Sequence, residues 1–114
     1  MALKKTELLN PETEAALVAF IRQAIMERRQ IVVNYDPGIR SIEPHALGLG
    51  AEGQLLLRAY QVAGSSEQTN HSGWRLFRLD RIARDVALGG RFQAPRPDYK
   101  RDDIAMKGGI LVQL

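Results

Sequence analysis

A mainly β domain with one N-terminal helix is what this sequence predicts: about five short strands forming a small barrel or strongly bent sheet, plus a C-terminal extension. Three observations lead there. Apolar residues recur at helical spacing across residues 17–25, runs rich in β-branched and aromatic residues follow, and Gly, Pro and Asp clusters cut those runs to strand length.

Asn10-Pro11-Glu12 predicts the helix start, with Asn10 as the cap, Pro11 at the first helical position and acids in the first turn. Residues 1–10 are then an N-terminal tail. Leu17, Phe20, Ile21, Ala24 and Ile25 form one apolar stripe, and Arg22, Gln23, Glu27, Arg28 and Arg29 occupy the rest. At Ile31 the period changes to IVVNY, a strand ended by Asp36-Pro37-Gly38. A second extended stretch runs from about Ile39 to Leu49, where Pro44 marks an irregular or edge segment. The third strand is Gln54 to Gln61, and the polar stretch between Val62 and Gly73 reads as a loop. Trp74 to Asp80 and Ile82 to Leu88 give the fourth and fifth strands, with Gly89-Gly90 ending the last. Residues 11–92 thus make the helix and sheet, and residues 93–114 a C-terminal arm. Its closing GILVQL either adds an edge strand or pairs with a second copy of the chain.

With 114 residues, 45% hydrophobic and 25% charged, the chain has the size and composition of one globular domain. The absence of cysteine excludes a Cys-based zinc site, a thiol nucleophile and a redox role. No window approaches the roughly 18 apolar residues of a membrane span. The N-terminus carries acids at Glu7, Glu12 and Glu14 and is not a signal peptide, so a soluble cytoplasmic protein without a membrane partner is expected. His45 and His71 have neither HxxxH spacing nor a cysteine nearby, so no metal is expected. Ser41, Ser65, Ser66 and Ser72 lack the strand-turn-helix setting of a nucleophile elbow, and GLGAEG lacks the lysine of a phosphate loop. No catalytic residue and no cofactor are predicted.

Charge placement is more informative than the net +3: twelve of the sixteen cations are arginines, and five of those lie between Arg75 and Arg91. Guanidinium groups match phosphate or carboxylate bidentately and stack on flat rings, which suggests an anionic, planar partner. The competing reading is a solvated strand face whose charges pair with Asp80 and Asp85.

The order IVVNYD, IEPHALGL, QLLLRAY, WRLFRLDRI and then Phe92 resembles the WYL domain family over about Ile21 to Phe92. The DYKRDDIAMKG tail is similar to the extension often found after that core. The Trp-Tyr-Leu triplet that names the family is here Leu55-Leu56-Leu57, which keeps an apolar strand and removes the aromatic pair. Family members usually carry an N-terminal winged-helix DNA-binding domain, for which 114 residues leave no room. The resemblance implies an Sm-like or SH3-like barrel acting as a ligand-sensing regulatory module in bacteria and phages. It implies nucleotides or single-stranded nucleic acid as ligands, a regulator or helicase as protein partner, and no enzyme activity. Carried over by motif, the ligand-binding positions are Tyr35, His45, Arg58, Arg75, Arg78 and Arg81.

In a regular strand Arg75 and Arg81 point one way and Arg78 the other, so all three converge only if the strand twists, bulges or ends near Leu79-Asp80. Tyr35 and Trp74 are each either a stacking surface for a base or a ring anchored in the fold. His45 is either a phosphate donor or a structural hydrogen-bonder. Three functions follow: an anion-sensing module, a structural or oligomerisation module that dimerises through the C-terminal segment, and an accessory RNA-binding barrel.

Overall fold

The computed structural model describes residues 8–65 and 71–114. Its helix, α1, spans Glu14–Glu27 and starts later than Asn10-Pro11 suggested. Thr13, extended at φ −121° and ψ 160°, is the cap, and its hydroxyl accepts from the Ala16 amide at 3.0 Å. The cap falls there because Leu17, the first buried residue of the stripe, sits one turn on and donates its amide to the Thr13 carbonyl. Leu17, Ile21, Ala24 and Ile25 are all fully buried. At the other end Arg28 adopts a left-handed conformation at φ 53° and turns the chain directly into a strand.

Five strands follow: β2 (Arg29–Tyr35), β3 (Gly38–Leu49), β4 (Leu55–Gly64), β5 (Gly73–Arg78) and β6 (Val86–Arg91), with a 3-10 turn at Leu79–Arg81. Two more join them. β1 (Leu8–Leu9) pairs with β6, and β7 (Gly109–Gln113) pairs with β3, so GILVQL completes the sheet of its own chain. All pairings are antiparallel, in the order β1-β6-β2-β3-β4-β5. Among the described residues no ladder joins β5 to β1, so the sheet is open at that seam and does not close into the expected barrel there.

Pro44 lies in the central strand rather than at an edge. One side of β3 pairs along its length with β4, while the other serves β2 with Gly38–Ile42 and β7 with Ala46–Leu49. Pro44 falls in the gap between those two partners, where a missing N–H breaks no ladder. Next to it, Pro44 opposes Ala59 and Ala46 opposes Arg58, which leaves His45 as the extra residue of a bulge.

Several strand boundaries differ from the sequence pattern, among them the end of β5, which stops at Arg78 and not at Asp80 because the 3-10 turn begins at Leu79. β4 continues to Gly64, where a Cβ would stand 2.3 Å from the Ile39 carbonyl oxygen, so only glycine fits that approach. β6 starts at Val86, because Ile82 is a buried anchor after the 3-10 turn and the Ala83 amide donates to the Asn34 carbonyl. It also runs on through Gly89, whose bare α-carbon lies close over Gln30. The glycine pair is strand and not a turn, close-packed at Gly89 and open to solvent at Gly90.

Register and burial give the β3-β4-β5 sheet two faces. The inner face carries the rows Ile42–Gln61–Gly73, Pro44–Ala59–Arg75 and Leu47–Leu57–Phe77. The core lies there: Ile42, Leu47, Leu57, Ala59 and Phe77 pack with α1 and with Ile31, Val33 and Val86. The outer face carries Glu43–Tyr60–Trp74, Ala46–Arg58–Leu76 and Gly48–Leu56–Arg78, and residues 92–108 cross it.

Candidate functional site

The arm is tied to the outer face by charge and by rings. Arg96 donates from Nε to Glu43 Oε1 at 2.8 Å, and its guanidinium lies 4.0 Å from the centre of the Tyr60 ring. Arg58 grips Asp103 with two bonds, Nε to Oδ2 at 2.5 Å and Nη2 to Oδ1 at 3.1 Å. That grip holds the Asp103 carboxyl below its usual range, assisted by the Ala105 amide. Met106 is buried with Ala46 and Leu56 in a small second apolar cluster.

His45 is the centre of an aromatic group. Its ring is fully buried, stacked on Phe92 at 5.5 Å and edge-on to Trp74 at 4.8 Å, with Tyr99 at 4.9 Å. Its Nδ1 lies 2.8 Å from the Glu43 carbonyl, which can only accept, so Nδ1 carries the proton. Nε2 then accepts from the Arg96 amide at 3.1 Å. Burial is the main reason that the imidazole pKa lies below its ordinary value.

Between this group and the arm lies a cleft of about 570 Å3, lined by Arg58 and Trp74 from the sheet and by Asp98 to Ile104 from the arm. Its volume falls within the roughly 300–1,000 Å3 of clefts that take small organic ligands. Trp74 forms an aromatic wall with Tyr99 stacked at 5.8 Å, and its indole N–H donates to Asp98 at 3.0 Å. Asp103 is occupied by Arg58, and Asp102 bonds both ways with Gln113. Exposed Lys100 and Arg101 stand at the rim, where the Arg101 Nε donates to the Leu114 carbonyl.

The seven candidates therefore divide among three places. Arg58, Trp74 and Arg78 share the outer face, and His45 sits beneath it, enclosed. Arg78 is exposed and pairs bidentately with Asp80, which pulls the Asp80 carboxyl below its usual pKa. Tyr35 and Arg75 lie on the inner side. The Tyr35 hydroxyl accepts from the Arg78 amide at 3.1 Å and its ring meets Phe77 edge-on at 4.8 Å, while Arg75 is 9% exposed. Arg81 is exposed on the 3-10 turn, outside the strand alternation, so it does not share a strand face with Arg75.

Two contributors escaped the sequence reading. Arg40 is 5% exposed, donates to the Tyr35 and Asp36 carbonyls and to Gln61, and lies over the rings of Tyr35 and Phe77. Gln61, fully buried, donates to the Ser65 and His71 carbonyls and so fastens both ends of that loop. Alternation with Ile42 is the one sequence signal that puts Arg40 on the inner face, and an exposed Ile39 beside it masks the signal.

Among the described residues no three His, Cys, Asp or Glu side chains are grouped to hold a metal, and no helix is long and apolar enough to cross a membrane. An antiparallel sheet with a helix on one face and a cleft on the other makes a small, mainly β domain. The family model of the WYL domain matches residues 16–87, more than half of the chain, and the chain belongs to the WYL domain family. WYL domains are commonly regulatory, ligand-sensing modules and typically non-catalytic. No curated protein and no solved structure matches the chain. The arm that forms most of the cleft lies beyond the matched segment.

Proposed function

We propose that this domain is a non-catalytic regulatory module that holds an anionic, planar ligand, a nucleotide or a short single strand of nucleic acid, on its outer face. The observation that carries the reading is the cleft itself, in which an aromatic wall at Trp74 stands beside the exposed cations Lys100 and Arg101, while its carboxylates Asp103, Asp98 and Asp102 are engaged by Arg58, the Trp74 indole and Gln113. A base stacks on the indole, an interaction worth about 1–3 kcal/mol and tolerant of base identity. The phosphates lie toward the Lys100–Arg101 rim. A strand longer than one nucleotide continues along the outer side of β5, past Leu76 to Arg78 and Arg81. Tyr35 and Arg75 act from the inner side as supports for β5 and the neighbouring loop, and His45 supports the arm.

The test is binding of a short oligothymidylate at several salt concentrations, with ATP as a competitor. Three or four phosphate contacts give a slope of log affinity against log salt of roughly −2 to −3, and Arg78→Ala removes roughly 0.7 of it. A slope near zero with no nucleotide affinity overturns the reading. RNA of the same length is the control that separates a DNA module from an RNA-binding one.

One observation favours a second reading, a pairing module. Among the described residues β5 pairs only with β4, so its other edge offers a ladder to another strand. A concentration-dependent mass in solution, abolished by a proline in β5, supports that reading and leaves the ligand assay unchanged.

A further inference from the structure

We infer that the C-terminal arm is an acid-released latch, with His45 as its catch. The inference is independent of any ligand. It starts from the two hydrogen bonds of a fully buried ring. Nδ1 must donate, because it faces the Glu43 carbonyl at 2.8 Å, and Nε2 must accept, because it faces the Arg96 amide at 3.1 Å. The neutral ring fits this pocket in one tautomer. A second proton on Nε2 places one donor against another, and the contact that breaks is the one to the arm.

The remaining surroundings decide what a charged His45 meets. From its own strand comes the Glu43 carboxylate, which Arg96 already occupies at 2.8 Å. The arm contributes Arg96, Asp98 and Tyr99, and of these Asp98 is engaged by the Trp74 indole and the Tyr99 hydroxyl donates to the His45 carbonyl. β5 presents Trp74, and the residue after β6 is Phe92, neither of them titratable. Among the described residues the two carboxylates near the ring therefore already have cationic or N–H partners. Protonation costs least when the arm lifts, Arg96 leaves Nε2 and water reaches the ring.

The direction with pH follows. Burial lowers the His45 pKa from 6.5 in the folded state. Closure is therefore fully favoured above pH 6.5 and weakens as the pH falls below it, because the open form binds the extra proton. In that window the open fraction rises about tenfold per pH unit, the slope of one proton. Arm release uncovers Trp74, Arg58 and the small Met106 cluster while the inner core stays packed.

Trp74 is the chain's single tryptophan, so its fluorescence reads the latch directly. The experiment takes the whole chain from pH 7.5 to 4.5 and follows Trp74 emission, far-ultraviolet circular dichroism and amide exchange corrected for its intrinsic pH dependence. The expected result is a reversible red shift below pH 6.5, loss of protection at the Arg96 amide with a slope near one, and unchanged protection at Leu57 and Phe77. His45→Gln removes the transition; if that variant does not fold, the wild-type exchange data decide alone. His71→Gln leaves it in place, since His71 lies apart at Gly64. Equal protection of the Arg96 amide at pH 7.5 and pH 5, or loss of protection at Leu57 and Arg96 together, overturns the latch.

Discussion

On its inner face the β3-β4-β5 sheet places Leu47, Leu57 and Phe77 in one row, each no more than 1% exposed. The parallel outer row places Gly48, Leu56 and Arg78, and what covers it is a loop-rich arm carrying Arg96, Asp98, Tyr99 and Asp103. The inner face is closed by a helix that offers only apolar side chains to it, through Leu17, Ile21, Ala24 and Ile25. The outer face is closed by ion pairs, ring contacts and one methionine. Where α1 covers the inner face, away from the buried Arg40, Gln61 and Arg75, apolar packing gives a seam that opens only with global unfolding, whereas a seam of paired charges and a buried imidazole responds to ligands and protons. The same strands thus carry the stability on one side and the responsiveness on the other.

Substitutions separate the two faces, beginning with the largest effect. Phe77→Ala empties the most buried aromatic position of the inner core and is expected to cost about 3–5 kcal/mol, read as a lower denaturation midpoint for every probe at once. Met106→Ala is expected to cost about 2–5 kcal/mol, but the loss belongs to the arm. Exchange at Met106 and Gly109 then rises more than exchange at Leu57. Arg58→Ala leaves the Asp103 carboxylate with an 8% exposed side chain and without its guanidinium, a loss of about 1–3 kcal/mol that again falls on the arm. It also raises the Asp103 pKa toward the ordinary carboxylate value, which a carbon-detected titration follows. Arg78→Ala is expected to leave the denaturation midpoint unchanged, because both partners of its pair are exposed, while it weakens oligonucleotide binding at low salt. If Met106→Ala and Phe77→Ala loosen the same amides, the two faces are one cooperative unit and the comparison fails.

The sequence was most readable where local chemistry and tertiary role agree. The stripe Leu17, Ile21, Ala24 and Ile25 packs as its spacing requires, and the runs IVVNY, LLLRAY and WRLFR are strands. It was least readable where a partner distant in sequence decides. Pro44 resembles an edge residue until β2 and β7 are seen to share one side of β3, and Ala63 and Gly64 resemble a loop until Ser41 and Arg40 pair with them. The candidate arginines show the same limit. Alternation alone separates Arg75 from Arg78, but only the pairing with β4 puts Arg78 beside Leu56 on the outer face and Arg75 beside Ala59 on the inner one. The arm's half of the cleft had no signature in DYKRDDIAMKG, because Asp98, Tyr99 and Asp103 acquire their roles from Trp74, His45 and Arg58.

The measurement closest to the central claim is Trp74 emission during titration with a short oligothymidylate at pH 7.5 and low salt, repeated with the double variant Lys100→Ala, Arg101→Ala. Binding on the outer face predicts saturable quenching in the wild type and an affinity reduced about tenfold or more in the variant, since each lost cation also removes counterion release. A ligand that binds with full affinity to both proteins while the indole signal stays constant contradicts it.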